Sequence, residues 1–305
     1  MNPGAASGSR TPLLVHAALF AVSLLFGTNT VVAKVALREI TPIDLVVFRT
    51  AATAAVLFGV SRLLRGVAPP PAPLTRPDLA RLLLFGLLGA SINQLCFLAG
   101  LARSTATNAS LMVVAVPVLT LAFALALRRE RASLTGLLGI ALGLAGALLL
   151  IVPRGGLEVA RRAAVGNALL LLSGVSYALY LVLTRSILAR LDAMRVVSWT
   201  FLLAALTVFP LGLPTLGALH VSRISGVGWA SVAYVVIGGT AVPYLLNNCA
   251  LARVRSSIVA VYVLLQPVVA ATLGRLFLHE QFGPRTAVAA ALVVAGVILS
   301  AWRRT

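Results

Sequence analysis

Residues 101–130 read LARSTATNASLMVVAVPVLTLAFALALRRE, and residues 251–280 read LARVRSSIVAVYVLLQPVVAATLGRLFLHE. At a shift of 150 residues, Leu101-Ala102-Arg103 falls on Leu251-Ala252-Arg253, Pro117-Val118 on Pro267-Val268 and Glu130 on Glu280. Ala145-Gly146 meets Ala295-Gly296 at the same shift. A chain rich in Ala and Leu supplies one such match by chance. Matches at proline and glutamate, in register across several segments, mark an internal duplication. The repeat extends to the start of each half. Ser23, Gly27, Thr30 and Lys34 lie on one helical stripe, and the same shift gives Ser173, Tyr177, Tyr180 and Thr184.

Both copies are built from long apolar runs. The chain has 305 residues, of which 60% are hydrophobic and 10% charged. A soluble domain carries about 25% charged residues, so this chain cannot clothe a water-facing surface. Its mean hydropathy of +1.03 agrees. A membrane span needs about 20 mostly apolar residues. Ten segments qualify: 13–37, 43–64, 79–102, 105–127, 133–152, 164–188, 194–213, 227–252, 256–278 and 284–302. They are divided by Thr41-Pro42, the proline-rich run 68–73, Arg128 to Arg131, Pro153 to Gly156, Leu213-Pro214 and Gly283-Pro284. Only Arg103 and Ser104 mark the turn between the third and fourth. A β-barrel is excluded, because its strands would be shorter and alternate with period two.

The expected fold is therefore an all-α polytopic membrane protein of ten transmembrane helices. Residues 1–12 read as a disordered Gly/Ser/Pro-rich tail, 13–152 as the first five-helix repeat and 153–305 as the second. Five is odd, so the second repeat would enter the bilayer from the opposite side. Inverted repeats of this kind are a device of secondary transporters.

The net charge of +18 comes from 25 Lys+Arg against 7 Asp+Glu. These cations sit mostly between apolar runs, and aromatic stacking stripes are absent. They read as topology signals and lipid-headgroup contacts rather than a nucleic-acid surface. With a cytoplasmic N-terminus, 15 of them fall in inside segments and 9 outside. Both termini are thus expected in the cytoplasm, across a bacterial-type inner membrane. Cys96 and Cys249 lie within apolar runs and fit neither a metal site nor a disulfide framework.

At this point the chain resembles the EamA family of the drug/metabolite transporter superfamily. Phe26-Gly27-Thr28-Asn29 with Lys34 resembles the family's first helix, although tryptophan is usual at Phe26. Pro42 with Phe48-Arg49 resembles the start of its second. Ala109-Ser110-Leu111 with Pro117 and Glu130 resembles its fourth, and Ser256, Pro267, Glu280, Gly283 and Gly296 the matching part of the second half. The resemblance covers nearly all of residues 13–302. It implies a ten-helix transporter with a central cavity between the halves, moving an amino acid, amine or related metabolite, commonly outward.

Polar groups within spans are costly and usually face a cavity or a partner. Arg49 lies about two turns into the second span, so it reads either as a fixed charge facing a solute carboxylate or phosphate, or as a side chain reaching back to the headgroups. Its repeat mate is Trp199. Asn29 belongs to the first-helix motif. On the third span Gly86, Gly89, Asn93, Phe97, Gly100 and Ser104 share a stripe, with Gln94 beside it. The corresponding region holds Gly239, Tyr244, Asn247 and Asn248. Tyr262 and Gln266 share a face of the ninth span, Asn108 a stripe of the fourth, and Tyr177 and Tyr180 a face of the sixth. The candidate solute-binding set is these polar and aromatic residues. Each also has an ordinary reading as an interhelical hydrogen bond or packing residue. Pro117 and Pro267 fall mid-span and are expected hinges. Gly139 and Gly143 form a G-x-x-x-G pair, which suits a homodimer or packing within the chain.

No acid lies mid-span by these boundaries, so a uniporter or exchanger is expected rather than a proton-driven pump. No cofactor or metal is expected. A membrane enzyme is the weaker alternative, since His16, His220 and His279 are scattered and no catalytic motif appears. A receptor or scaffold without transport is the third reading.

Overall fold

A computed structural model describes residues 10–63, 73–128, 134–151, 157–254, 259, 262–279 and 283–301. Residues 1–9 of the expected tail, Glu130, Ser256 and Glu280 lie outside the described residues. Among the described residues every regular element is helical. The helices are α1 (Arg10–Ala36), α2 (Pro42–Leu63), α3 (Arg76–Gly86), α4 (Asn93–Arg103), α5 (Ala106–Val114), α6 (Val116–Ala126) and α7 (Leu134–Ile151). The second half contains α8 (Leu157–Thr184), α9 (Ala193–Leu216), α10 (Gly226–Val236), α11 (Val242–Leu251), α12 (Leu265–Leu278) and α13 (Pro284–Ala301).

Among the described residues, seven helical stretches are long and apolar enough to cross a bilayer: Leu13–Ala36, Pro42–Leu63, Arg76–Arg103, Asn108–Ala126, Arg162–Thr184, Ala193–Leu216 and Gly226–Leu251. Shorter apolar helices, Leu137–Gly146 and Leu265–Leu278, fall where the fifth and ninth spans are expected. Helices suit this setting because each backbone N–H and C=O is satisfied within its own segment. Their outer faces are greasy: Phe20, Leu24, Val56, Leu206 and Phe209 are all exposed. The interior instead buries Asn29, Arg49, Asn93, Asn247 and Asn248. That distribution fits a lipid solvent outside and a polar centre within.

Local sequence sets the helix starts. Thr75, Thr105, Asp192 and Ser225 are extended, and each accepts a backbone N–H three residues on. The sparse boundary at residues 103–104 is a true turn: α4 ends at Arg103, Ser104 is extended and Thr105 caps α5. Lys34 does not simply reach for headgroups. Its Nζ donates to the carbonyls of Leu101 and Ser104, placing a cation at the C-terminal end of α4.

Packing follows the duplication. Helix α2 packs on α9 and α7 on α13. Helix α4 packs on α8 as α11 does on α1, and α6 packs on α8 as α12 does on α1. Exchanging the halves maps these pairs onto one another. The glycine pair on α7 is used inside the chain. A Cβ at Gly296 would come within 2.6 Å of the Gly143 nitrogen and 2.7 Å of the Gly139 carbonyl. No side chain fits where these two backbones touch.

Two of the spans carry a π-helical turn at equivalent places. Leu87–Ile92 joins α3 to α4, and Ile237–Ala241 joins α10 to α11. Each π turn rotates the following helix face and loosens a backbone carbonyl. Two further interruptions match in the same way. Helix α5 ends at Val114 and α6 restarts at Val116 with Pro117 in its first turn. A 3₁₀ turn, Tyr262–Leu264, leads into α12 with Pro267 in its first turn. Proline lacks the N–H and its ring collides with the carbonyl four residues back, so neither helix runs unbroken up to its proline.

Candidate functional site

A central cavity of about 60 Å³ is lined by residues of both halves. Its polar lining comes from Asn29 and Thr30 on α1, Arg49 on α2, Asn93 and Gln94 on α4, and Ser173 and Tyr177 on α8. Tyr244 of α11 and Gln266 of α12 complete it. The apolar wall is Phe26, Phe97, Val113, Val116 and Gly174. Both halves contribute, and the residues come from helices far apart in the chain.

Hydrogen bonds fix most of these groups. Asn93 Nδ2 donates to the Ser173 carbonyl at 3.0 Å and to Ser173 Oγ at 2.9 Å. Gln94 Nε2 donates to the Tyr244 hydroxyl at 3.0 Å, and that hydroxyl donates to the Gly89 carbonyl at 2.6 Å. Gly89 lies in the first π turn, so its carbonyl finds this partner across the molecule. Asn247 Nδ2 donates to Tyr177 at 2.7 Å, and Asn248 Nδ2 to Tyr180 at 2.8 Å. The rings of Tyr177 and Tyr180 stack with centroids 5.8 Å apart, and Tyr244 meets Phe201 edge-on at 4.9 Å. The tyrosines thus form a cross-linked floor.

Arg49 is the charged member. It is 2% exposed, so it does not reach the headgroups. Nε donates to Thr240 Oγ1 at 2.5 Å and Nη2 to the Gly239 carbonyl at 2.8 Å, both within the second π turn. Among the described residues Nη1 has no partner, and neither has Asn29 Oδ1. Asn29 also abuts Gly239, where a Cβ would overlap its Oδ1. Glycine is required here because Asn29 occupies the space of a side chain.

Of the residues singled out from sequence, Asn29, Arg49, Asn93, Gln94, Tyr177, Tyr244 and Gln266 line this cavity. Tyr262 and Asn247 line a neighbouring void of about 10 Å³, which shares Phe26, Tyr177 and Gln266 with the larger one. That void has room for about one water. Tyr180 and Asn248 stand behind the lining as supports. Trp199 packs edge-on against Phe58 at 5.9 Å, and Asn108 sits in the first turn of α5 with its N–H on Thr105 Oγ1; neither is among the cavity residues. Thr30 and Ser173 were visible as members of the first-helix stripes. Phe97 shared the third-span stripe with Asn93, whereas Val113, Val116 and Gly174 carry no signal that separates them from other apolar residues.

A multi-helix membrane protein with a central cavity to which both halves of a duplicated chain bring polar groups is the class these features define. The model of the EamA-like transporter family matches residues 13–152 and 164–302. The chain belongs to that family and is a membrane transporter. It is 26% identical to an uncharacterized transporter of Archaeoglobus fulgidus over 93% of this chain and 96% of that one. The uncharacterized transporter YcxC of Bacillus subtilis is 23% identical over 95% and 92% of the respective chains. A protein of known crystal structure shares the fold, with a TM-score of 0.66 at 22% identity over 94% of this chain and 96% of its own.

Proposed function

We propose that this transporter moves a small metabolite by alternating access at the central cavity, in the outward direction across a bacterial-type inner membrane. The cavity lies between two five-helix repeats of opposite topology, with both chain termini in the cytoplasm. Asn29, Arg49, Asn93, Gln94, Tyr177, Tyr244 and Gln266 contact the solute, and Pro117 and Pro267 mark the bending points. The family resemblance brings amino acids, amines and related metabolites as the solute range.

The observation that carries this reading is the equivalence of the two π turns. Leu87–Ile92 and Ile237–Ala241 lie at matching places in the two halves, and each accepts a bond from a cavity residue of the other half: the Gly89 carbonyl from Tyr244 and the Gly239 carbonyl from Arg49. Two like halves around one site can exchange conformations, opening it first to one side and then to the other. The present volume of about 60 Å³ holds a few waters. Binding sites for small organic ligands occupy roughly 300–1,000 Å³, so the cycle needs a more open form. The helix breaks before Pro117 and Pro267 supply backbone without a full ladder of bonds where such opening can occur.

The test is a single cysteine at position 93, Asn93→Cys, in a chain with Cys96 and Cys249 replaced by serine. A membrane-impermeant thiol reagent applied to vesicles of each orientation should label it from both sides. Labelling from one side only, or none from either, contradicts alternating access and favours a scaffold.

A further inference from the structure

The charge of the cavity narrows the solute, given the transport reading above. We propose that the solute is a small organic monocarboxylate bearing a hydrogen-bond donor beside its carboxylate, as a 2-hydroxy acid does. Its carboxylate docks on Arg49 Nη1, its donor on Asn29 Oδ1, and its apolar remainder lies against Phe26 and Phe97.

The argument starts from an uncompensated ion. A guanidinium stays protonated in proteins. Arg49 is buried, and its two bonded partners, Thr240 Oγ1 and the Gly239 carbonyl, are neutral. Among the described residues no acid lines the cavity. The described carboxylates with known partners lie elsewhere. Glu39 is on Ser225, Asp44 on Thr41 and Thr215, Asp78 on Thr75 and Arg190, and Asp192 on the Arg195 N–H. A buried charge without a counter-charge is held at a cost. Nη1 is closed off from solvent in this form, so its unused donors and unbalanced positive charge become available to a solute as the cavity opens.

Charge balance then sorts the solutes. A monoanion neutralises Arg49. An amine meets a like charge. A zwitterion brings an ammonium for which the lining has no carboxylate. A phosphate monoester carries close to two negative charges near neutral pH against a single cation. The orphan Asn29 Oδ1 is an acceptor, and it sits on the same glycine that receives Arg49 Nη2. An acid with a neighbouring hydroxyl satisfies both unpartnered atoms at once. Phe26, Phe97, Val113 and Val116 have nothing to offer further polar groups.

The experiment measures binding to the purified full-length protein at pH 7, by ligand-dependent shift of the unfolding midpoint. The probes are 2-hydroxy-3-phenylpropanoate, its amide, phenylalanine, phenethylamine and phenyl phosphate. The acid should bind at least 30-fold more tightly than its amide and than the other three. Arg49→Gln should cut the acid-over-amide preference more than tenfold; Arg49→Lys should keep part of it. A merely structural arginine would weaken both probes alike. Should Arg49→Gln not fold, the acid-over-amide ratio of the unsubstituted protein decides alone. No binding of the acid, a ratio near one, tighter binding of phenethylamine or phenyl phosphate, or a full preference in Arg49→Gln overturns the inference. The outcome is separable from that of the transport reading, because the labelling of Asn93→Cys does not depend on which solute is bound.

Discussion

The first turns of α3 and α10 occupy equivalent positions in the two halves, yet they are closed in different ways. In α3 the closure is internal. Thr75 caps the helix, and Asp78 reaches back to accept from the Thr75 N–H at 2.8 Å and hydroxyl at 2.6 Å. In α10 the cap is Ser225, but the position matching Asp78 is Gly228. The missing carboxylate comes from the loop after α1: Glu39 accepts from the Ser225 N–H at 2.7 Å and hydroxyl at 2.8 Å. A Cβ at Gly228 would stand 2.7 Å from Glu39 Oε2, so the glycine makes room for the borrowed acid. The loop after α8 makes the reciprocal contact with a cation, as Arg190 pairs with Asp78. After duplication, each half was thus free to meet a helix's need for an N-terminal acceptor from itself or from its partner. Both solutions tie one half to the other.

The sharpest way to break the comparison is Asp78→Ala. It removes the oxygen that accepts both Thr75 bonds and pairs with Arg190. The unfolding midpoint in detergent should fall by about 5 °C, the largest change among these variants. A fall no greater than that of Glu39→Ala would mean that the internal closure has no advantage.

Glu39→Gln should have a smaller effect that depends on pH. The backbone N–H and then the hydroxyl of Ser225 hold the Glu39 carboxyl below its ordinary value. A depressed carboxyl stabilises the fold above its unfolded-state value and loses that contribution as pH falls through the folded-state value. The gap between the two proteins should therefore be widest near pH 7 and close in acid, below the ordinary carboxylate range. A gap that is unchanged at low pH would show that the charge of Glu39 is irrelevant.

The smallest effect sharpens the comparison from the other side. Gly228→Asp gives α10 the internal closure of α3. In an otherwise unchanged protein it should lower the midpoint, because the new side chain collides with Glu39. In a Glu39→Ala background the fall should shrink by about 2 °C, because the Glu39 collision is gone and a local acceptor is restored, while the contact with Ile224 Cγ2 at 2.8 Å remains. Equal effects in both backgrounds would separate Gly228 from Glu39.

Much of this architecture was legible in the chain. The apolar runs locate the helices, because a backbone in lipid has few other ways to satisfy itself. The prolines at 117 and 267 locate the breaks for the same reason. Polar residues within spans located a good part of the cavity, since Asn29, Arg49, Asn93 and Gln94 could not be left facing lipid. The π turns were not legible: Gly89 and Gly239 sit among the polar stripes, and nothing local says which carbonyl will be released. A stripe gives a helix face but not its neighbour. That is why Asn108 and Trp199 read as well as Asn93, although only Asn93 joins the lining.

The sequence by itself determined that this chain is helical, duplicated and dissolved in a membrane, because those properties follow from the length, polarity and spacing of local segments. Only the tertiary structure decided which polar groups meet and which are left over. Arg49 finds Gly239 across 190 residues of chain, and its third nitrogen finds nothing. A side chain's partner, or its lack of one, is a property of the neighbours that packing brings to it, and packing is not written in any one segment.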